Sequence, residues 1–151
     1  MSPREIHQAR RLALQVLCVI DVQGADGWHT IGRFMGEQPD SEPVRNRAAE
    51  LARATFEKRT VWDESIVGVS HRWDLSRMGL VDRNLLRLAL FEMSQPELTP
   101  VRVAIDEAIE LAKEFGAAES PAFVNGVLDA VWRKSQPAEE APVEPPADLA
   151  G

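Results

Sequence analysis

The chain has 151 residues, a net charge of -7 and 44% hydrophobic residues, which suits one domain with a core of its own. It has no apolar run of about 18 residues, and the amino-terminal MSPREIHQARR lacks the apolar centre of a secretory signal, so neither a membrane span nor a signal peptide is predicted. A single cysteine, Cys18, excludes an internal disulfide framework and favours the reducing cytoplasm. The acidic balance argues against a generally basic nucleic-acid binder, so a polyanion must use a local patch.

The first helix is predicted from its ends and its spacing. Ser2, Pro3 and Glu5 form a capping box with proline at the first helical position. Apolar residues then recur at helical spacing until Gly24 and Gly27, which predicts a helix of roughly 20 residues.

The rest of the chain follows the same pattern. Further helices are predicted from Trp28 to Met35, from Pro43 to Val69 with a break near Thr60, from Asp82 to Met93, from Val101 to Phe115 before Gly116, and from Ser120 onward. Trp73 is predicted to anchor the connection between residues 70 and 79. No segment alternates with period two between turn residues, so no sheet is expected. The pattern predicts an all-α protein with two clusters of about three helices each.

The carboxyl-terminal segment differs in composition from the rest. Residues 135–151 contain four prolines and four acidic residues and no basic residue. Such a segment cannot bury enough apolar surface to fold by itself. We expect a helical domain over residues 1–134 and a disordered, acidic, proline-rich tail over residues 135–151.

Nothing in the sequence indicates catalysis, a cofactor or a metal site. The histidines are scattered, and the chain has no HExxH, no C-x-x-C, no glycine-rich phosphate loop and no GxSxG. Cys18 lies in the apolar part of the first helix and is interpreted as a core residue rather than a nucleophile. Glu110 and Glu114 share a helix face and are interpreted as solvated surface. We therefore expect a binding protein and not an enzyme.

Basic residues form a small group on the first helix. Arg4, His7 and Arg11 are spaced by three and four residues, so they share one stripe, and Arg10 lies beside it. The apolar residues take the opposite side. The stripe is either a local phosphate-binding face or an ordinary solvated face.

The segment SPAFVNGVLDAVWRK, residues 120–134, combines helix and turn signals. Ser120 and Pro121 suit a helix start, yet Asn125 and Gly126 stand together in an otherwise apolar helical pattern. Glycine inside a helix costs about 1 kcal/mol relative to alanine, so its presence needs a reason. Either a second helix or a ligand approaches the backbone closely there. Phe123 is either a core residue or a platform on which a base stacks.

Long motifs in the second half resemble those of a known family. The run LLRLALFEMSQPELTPVRVAIDEAIELAKEFGAAESPAFVNGVLDAV, residues 85–131, resembles the carboxyl-terminal half of the NusB family of bacterial transcription antitermination factors. ARRLALQVL, residues 9–17, is similar to the family's ARxxALQAL element. Residues 24–72 match only in helical pattern and length.

The resemblance implies a fold and a function. It implies about seven helices in two packed three-helix bundles, and no enzymatic activity. It implies binding to single-stranded boxA-like RNA of nascent ribosomal RNA transcripts as a heterodimer with NusE, a small-subunit ribosomal protein. It further implies assembly with the elongating RNA polymerase, NusA and NusG, with a homodimer as a possible free form.

The resemblance also assigns roles to individual residues. Arg10 matches the family's amino-terminal arginine-rich motif, and Phe123 and Asn125 match an FVNG element whose aromatic residue lies near RNA. Asp82 matches an acidic position that faces NusE. The predicted RNA-binding residues are Arg4, His7, Arg10, Arg11, Phe123 and Asn125, and the predicted partner-binding residue is Asp82.

The sequence departs from the family pattern just before ARRLALQVL. The family has consecutive bases where this chain has Ile6, His7 and Gln8, and Cys18 replaces a common tyrosine. Three arginines, at ~0.7 counterions each, imply a logarithmic salt slope of about -2 for single-stranded RNA.

Two other interpretations are open beside the antitermination factor. One is a helical protein-interaction module, such as a homodimer or a ribosome-assembly factor, that has lost RNA binding. The other is the NusB-like domain of ribosomal RNA cytosine methyltransferases. A chain of 151 residues without a Rossmann-like region is expected to exclude the methyltransferase.

Overall fold

The computed structural model describes residues 1–70 and 75–137. In these residues seven α-helices, two 3-10 turns and no strand are present, which confirms the all-α prediction. The helices are α1 Pro3–Gln23, α2 Trp28–Gly36, α3 Glu42–Glu57, α4 Arg59–Val69, α5 Leu80–Met93, α6 Val101–Phe115 and α7 Ser120–Ser135. The 3-10 turns are Ala25–Gly27 and Leu75–Arg77. Trp73 and residues 138–151 of the predicted tail lie outside the described residues.

The helices pack as two bundles around α5. Helices α1, α2 and α3 form one bundle and α5, α6 and α7 the other, while α4 lies against α5 and α7. α5 also contacts α1 and α3, so it joins the two bundles. The buried apolar side chains form one cluster with members in every helix. The predicted pair of three-helix bundles is confirmed, and the two share a single core.

Local sequence explains where the helices begin and end. Ser2 and Glu5 form the predicted capping box: the Ser2 hydroxyl accepts from the Glu5 N–H at 3.1 Å, and a Glu5 carboxylate oxygen accepts from the Ser2 N–H at 2.9 Å. Gly24 ends α1 with φ +82°, a conformation that favours glycine. Gly116 ends α6 for a different reason, since a Cβ there would lie 2.6 Å from the Ser120 hydroxyl. α3 and α4 meet at Lys58, close to the predicted break.

The start of α7 differs in detail from the prediction. Glu119 occupies the N-cap position, and Ser120 is the first helical residue. The Ser120 hydroxyl accepts from the Ala117 N–H at 2.9 Å, so it orders the preceding turn. Pro121 lies in the first turn, as expected from its missing N–H.

A cluster of polar side chains, here called the α5 clamp, ties α5 to α1 and α4. It consists of Asp21 from α1, Asp63 from α4, and Arg83, Asn84 and Arg87 from α5. Nε and Nη2 of Arg87 donate to the two carboxylate oxygens of Asp63 at 2.7 and 2.8 Å, and Nη1 donates to Asp21 at 3.2 Å. Burial opposes the charge on Asp21, but hydrogen bonds from Asn84 and Arg83 and the charge of Arg87 outweigh it and lower the pKa of Asp21. The clamp therefore links α5 of the second bundle to α1 of the first bundle and to α4.

Candidate nucleic-acid interface

The basic residues of α1 do not form the uniformly exposed stripe that their spacing suggests. Arg4 is exposed, and no carboxylate lies within ion-pair distance of it in the described part of the chain. His7, Arg10 and Arg11 face α6 and pair with its acidic residues. We call this contact the α1–α6 seam: His7, Arg10 and Arg11 against Glu107 and Glu114.

Arg10 lies in the interior. Its Nε donates to both carboxylate oxygens of Glu92 at 2.8 and 3.0 Å, and its Nη1 donates to Glu107 at 3.3 Å. The side chains of Arg10 and Glu92 are only 8% and 6% exposed. Burial opposes the charge on Arg10, but Glu92 and Glu107 outweigh it and raise the pKa of the guanidinium. Arg10 is therefore not part of an exposed basic face, because its guanidinium is buried against Glu92 of α5.

The other two pairs of the seam are more accessible. His7 Nδ1 lies 2.7 Å from a Glu107 carboxylate oxygen. Arg11 Nη2 lies 2.6 Å from Glu114, and its guanidinium carbon lies 5.2 Å from the centre of the Phe115 ring. The hydrogen bond from Arg11 to Glu114 raises the pKa of Arg11. Glu114 is exposed, as expected, and it also pairs with Arg11.

A cleft of about 610 Å³ lies where the first turns of α5 and α7 meet. Asp82 of α5 and Phe123 of α7 both line it, together with Arg77, Met78, Gly79, Ala117, Glu119 and Ala122. Phe123 is half-buried and packs against the core. One carboxylate oxygen of Asp82 is buried and accepts no hydrogen bond. The structure thus brings together the residue predicted to meet RNA and the residue predicted to meet a protein.

Asn125 and Gly126 lie within α7, as predicted, and both are exposed. A Cβ at Gly126 would meet no atom within 4 Å. The proposed explanation that Gly126 lets another helix of this chain approach closely is therefore wrong. What the glycine leaves is an open stretch of helix surface one turn from Phe123.

Replacing Gly126 with alanine is expected to raise the free energy of unfolding by about 1 kcal/mol, because the new methyl group meets no neighbour and the helix gains propensity. Urea unfolding followed by circular dichroism measures the change. Gly24→Ala is the matched control of opposite sign, since φ +82° strains any residue with a Cβ. A destabilised Gly126→Ala protein would contradict the open environment.

Cys18, the single cysteine of the chain, lies in a partly buried position. Burial, and then the charge of Asp21, raise the pKa of the Cys18 thiol to about 11, so it is protonated at neutral pH and a poor nucleophile. Among the described residues no cluster of three or more histidine, cysteine, aspartate or glutamate side chains is placed to hold a metal. None of the described helices combines the length and apolarity that crossing a membrane requires.

Comparison with known proteins assigns the chain to a family. A family model described as the NusB family matches residues 7–133. The chain belongs to the NusB family. A Geotalea uraniireducens relative, transcription antitermination protein NusB, is 43% identical over 139 residues, covering 87% of this chain and 94% of that protein. The Anaeromyxobacter dehalogenans protein of the same name is 45% identical over 132 residues, covering 87% and 92%.

Solved NusB structures share the fold. Thermotoga maritima NusB is 30% identical, with a TM-score of 0.77 over 94% of this chain and 99% of that one. NusB in a crystal structure of antitermination factors NusB and NusE with double-stranded RNA superposes with a TM-score of 0.75 at 23% identity. The second likeness shows the shared NusB fold.

Proposed function

We propose that this chain is a transcription antitermination factor. It binds boxA-type single-stranded RNA in nascent ribosomal RNA transcripts together with NusE, and it joins the elongating RNA polymerase with NusA and NusG. It acts in the cytoplasm by binding, without a catalytic step or a cofactor. The observation that carries the proposal is the identity of 43% and 45%, over nearly their full length, to two transcription antitermination proteins.

The α1–α6 seam supports different roles for the arginines of α1. The Arg11–Glu114 pair is exposed at 45% and 39%, and such pairs contribute about 0–1 kcal/mol, so a phosphate can displace Glu114 at little cost. The buried Arg10–Glu92 pair is far harder to break. We assign direct phosphate contacts to Arg4 and Arg11 and the positioning of α1 to Arg10. Two contacts at ~0.7 each reduce the expected salt slope from about -2 to about -1.4.

The cleft supports binding of RNA and protein at adjoining places. Phe123 offers part of a ring on which an unpaired base stacks. The exposed amide of Asn125, two residues further on and on a different side of α7, lies outside the cleft and can hydrogen-bond to the edge of a neighbouring base. Asp82 lies in the first turn of α5, where the helix dipole favours a carboxylate, and it suits a basic group of NusE. His7, whose Nδ1 bonds to Glu107, lies beside Arg10 and Arg11 in the α1–α6 seam.

Phe123→Ala is expected to weaken RNA binding by roughly 5- to 150-fold, because stacking contributes about 1–3 kcal/mol per base. Fluorescence anisotropy with a boxA-like single strand, with and without NusE and over a salt series, measures it. Phe34→Ala, which removes another half-buried phenylalanine from α2, is the matched control. Circular dichroism melting establishes that both variants fold.

A second candidate is the helical interaction module without RNA binding, either a homodimer or a ribosome-assembly factor. It is favoured by one observation: three of the four basic residues of α1 already pair with carboxylates. If NusE binds this chain but RNA binds neither the free chain nor its complex with NusE, this alternative is established. The antitermination mechanism proposed above is then excluded.

A further inference from the structure

A second groove runs between α2 and α3, on the amino-terminal bundle. Its volume is about 260 Å³, below the ~300–1,000 Å³ of most small-molecule sites, so it suits one small planar group. Ile31, Met35 and Ala49 form an apolar floor. Along the α2 rim, Gly32 and Gly36 carry no side chain, and a Cβ at either would meet no atom within 4 Å. The groove is therefore shallow, apolar and open on one side.

The opposite rim is cationic. Arg45 and Arg53 of α3 line the groove, and none of the described lining residues is acidic. The Arg53 guanidinium carbon lies 4.3 Å from the centre of the Trp28 ring. A guanidinium stacked on an indole still directs its N–H groups outward in its own plane. No carboxylate pairs with Arg53 in the described part of the chain, so those donors are available to an anion.

The stacked arrangement extends beyond Arg53. Trp28 meets Phe56 edge to face, with ring centres 5.9 Å apart. The Arg59 guanidinium carbon lies 4.0 Å from the centre of the Phe56 ring, and Nη1 of Arg59 donates to the Phe56 carbonyl at 3.0 Å. The aromatic pair thus holds two guanidinium groups in fixed positions at the surface.

Asp40 links the groove to Arg11, to which an RNA contact is assigned above. The backbone carbonyl of Asp40 accepts a hydrogen bond from Arg45 at one end of the groove. The same Asp40 lies close enough to Arg11 for its charge to contribute to the raised pKa of Arg11. Arg11 and Arg45 therefore both lie near Asp40, which places the groove on the same side of the molecule as Arg11.

We propose that the groove between α2 and α3 binds a nucleotide of the same RNA strand, flanking the element held at α1 and α7. The base lies on the apolar floor beside Trp28, and Arg45 and Arg53 contact phosphates. This inference rests on the proposed function and adds a second contact region to it.

The test compares a short boxA-like strand with strands extended at the 5′ side or at the 3′ side, all in the presence of NusE. One extended strand is expected to bind more tightly and to show a salt slope more negative by about 1.4, from two phosphate contacts at ~0.7 each. Arg53→Gln is expected to remove about half of that gain and to leave binding of the short strand unchanged. Arg102→Gln is the matched control, an exposed arginine of α6 paired with Asp106.

Three results would overturn the inference alone while short-strand binding persists. They are no gain on extension at either side, an equal loss in Arg53→Gln and Arg102→Gln, and loss of NusE association in Arg53→Gln with RNA binding intact. The last would identify an acidic protein segment as the occupant. No binding of the short strand even with NusE would overturn the proposed function and this inference together.

Discussion

Arg87→Ala is expected to lower the free energy of unfolding by about 3 kcal/mol, the lower end of the ~3–5 kcal/mol measured when one partner of a buried ion pair is removed. Arg87 is 7% exposed and bridges Asp21 of α1 and Asp63 of α4. Without it, both carboxylates lose a cation in a partly dry environment. The lower end applies because Asp21 and Asp63, 18% and 23% exposed, can recover some hydration.

Urea unfolding at neutral pH measures this loss, and Arg102→Ala is the control, because its exposed pair with Asp106 should contribute under ~1 kcal/mol. A pH series gives a second readout. The lowered pKa of Asp21 means that its stabilisation is present above about pH 4 and is lost as the pH falls through the folded-state pKa. Arg87→Ala should lose part of this acid dependence. A loss below 1 kcal/mol would show that the clamp is solvated.

Arg10→Ala is expected to lower the free energy of unfolding by about 4 kcal/mol, within the same ~3–5 kcal/mol range. Glu92, 6% exposed, would retain only the Thr99 hydroxyl at 3.4 Å. Burying a carboxylate with so little compensation is strongly unfavourable, so the folded state is destabilised. The packing of α1 against the second bundle would weaken. RNA affinity would then fall because α1 is displaced, and not because a contact to RNA is lost.

Thermal and urea unfolding of Arg10→Ala, Arg11→Ala and the double variant Arg10→Met/Glu92→Met test this. Arg11→Ala should lose under ~1 kcal/mol because its pair is exposed. The double variant should recover much of the stability, because it removes the uncompensated charge as well. If Arg10→Ala folds with unchanged stability and loses RNA binding, Arg10 contacts RNA directly and the positioning role is wrong.

Most of the fold was predictable because it depends on local signals. Apolar spacing locates the helices, and Ser2, Gly24 and Gly116 mark ends that the structure retains. The family's long motifs then predicted the two bundles. The error at Ser120 was local as well: a serine before a proline suits a cap, but its hydroxyl here bonds to the preceding turn.

The site was less predictable because it depends on which helices meet. Spacing within α1 shows which bases share a stripe, but it cannot show that α6 lies opposite with Glu107 and Glu114. One indication was present: Glu92 falls in step with Leu85, Leu88 and Ala89 on an apolar stripe, which implies a buried carboxylate and therefore a cation.

The surroundings of Gly126 and the cleft between α5 and α7 also depend on how the helices pack, which the sequence does not show. A glycine within a helix shows that a side chain is missing, but not whether any group occupies the space, and at Gly126 none does. The meeting of Asp82 and Phe123 in one cleft requires the packing of two helices whose first turns are far apart in sequence.

The ion pairs of the α1–α6 seam have a consequence for the rate at which the proposed RNA ligand would associate. A chain of net charge -7, with most of its α1 bases neutralised, presents little positive potential to a distant strand. Electrostatic steering, which accelerates association of many nucleic-acid binders, is then weak or opposed. Under the proposed function, encounter with RNA therefore depends on a partner's charge or on tethering to the transcribing polymerase, where a high effective concentration replaces long-range attraction.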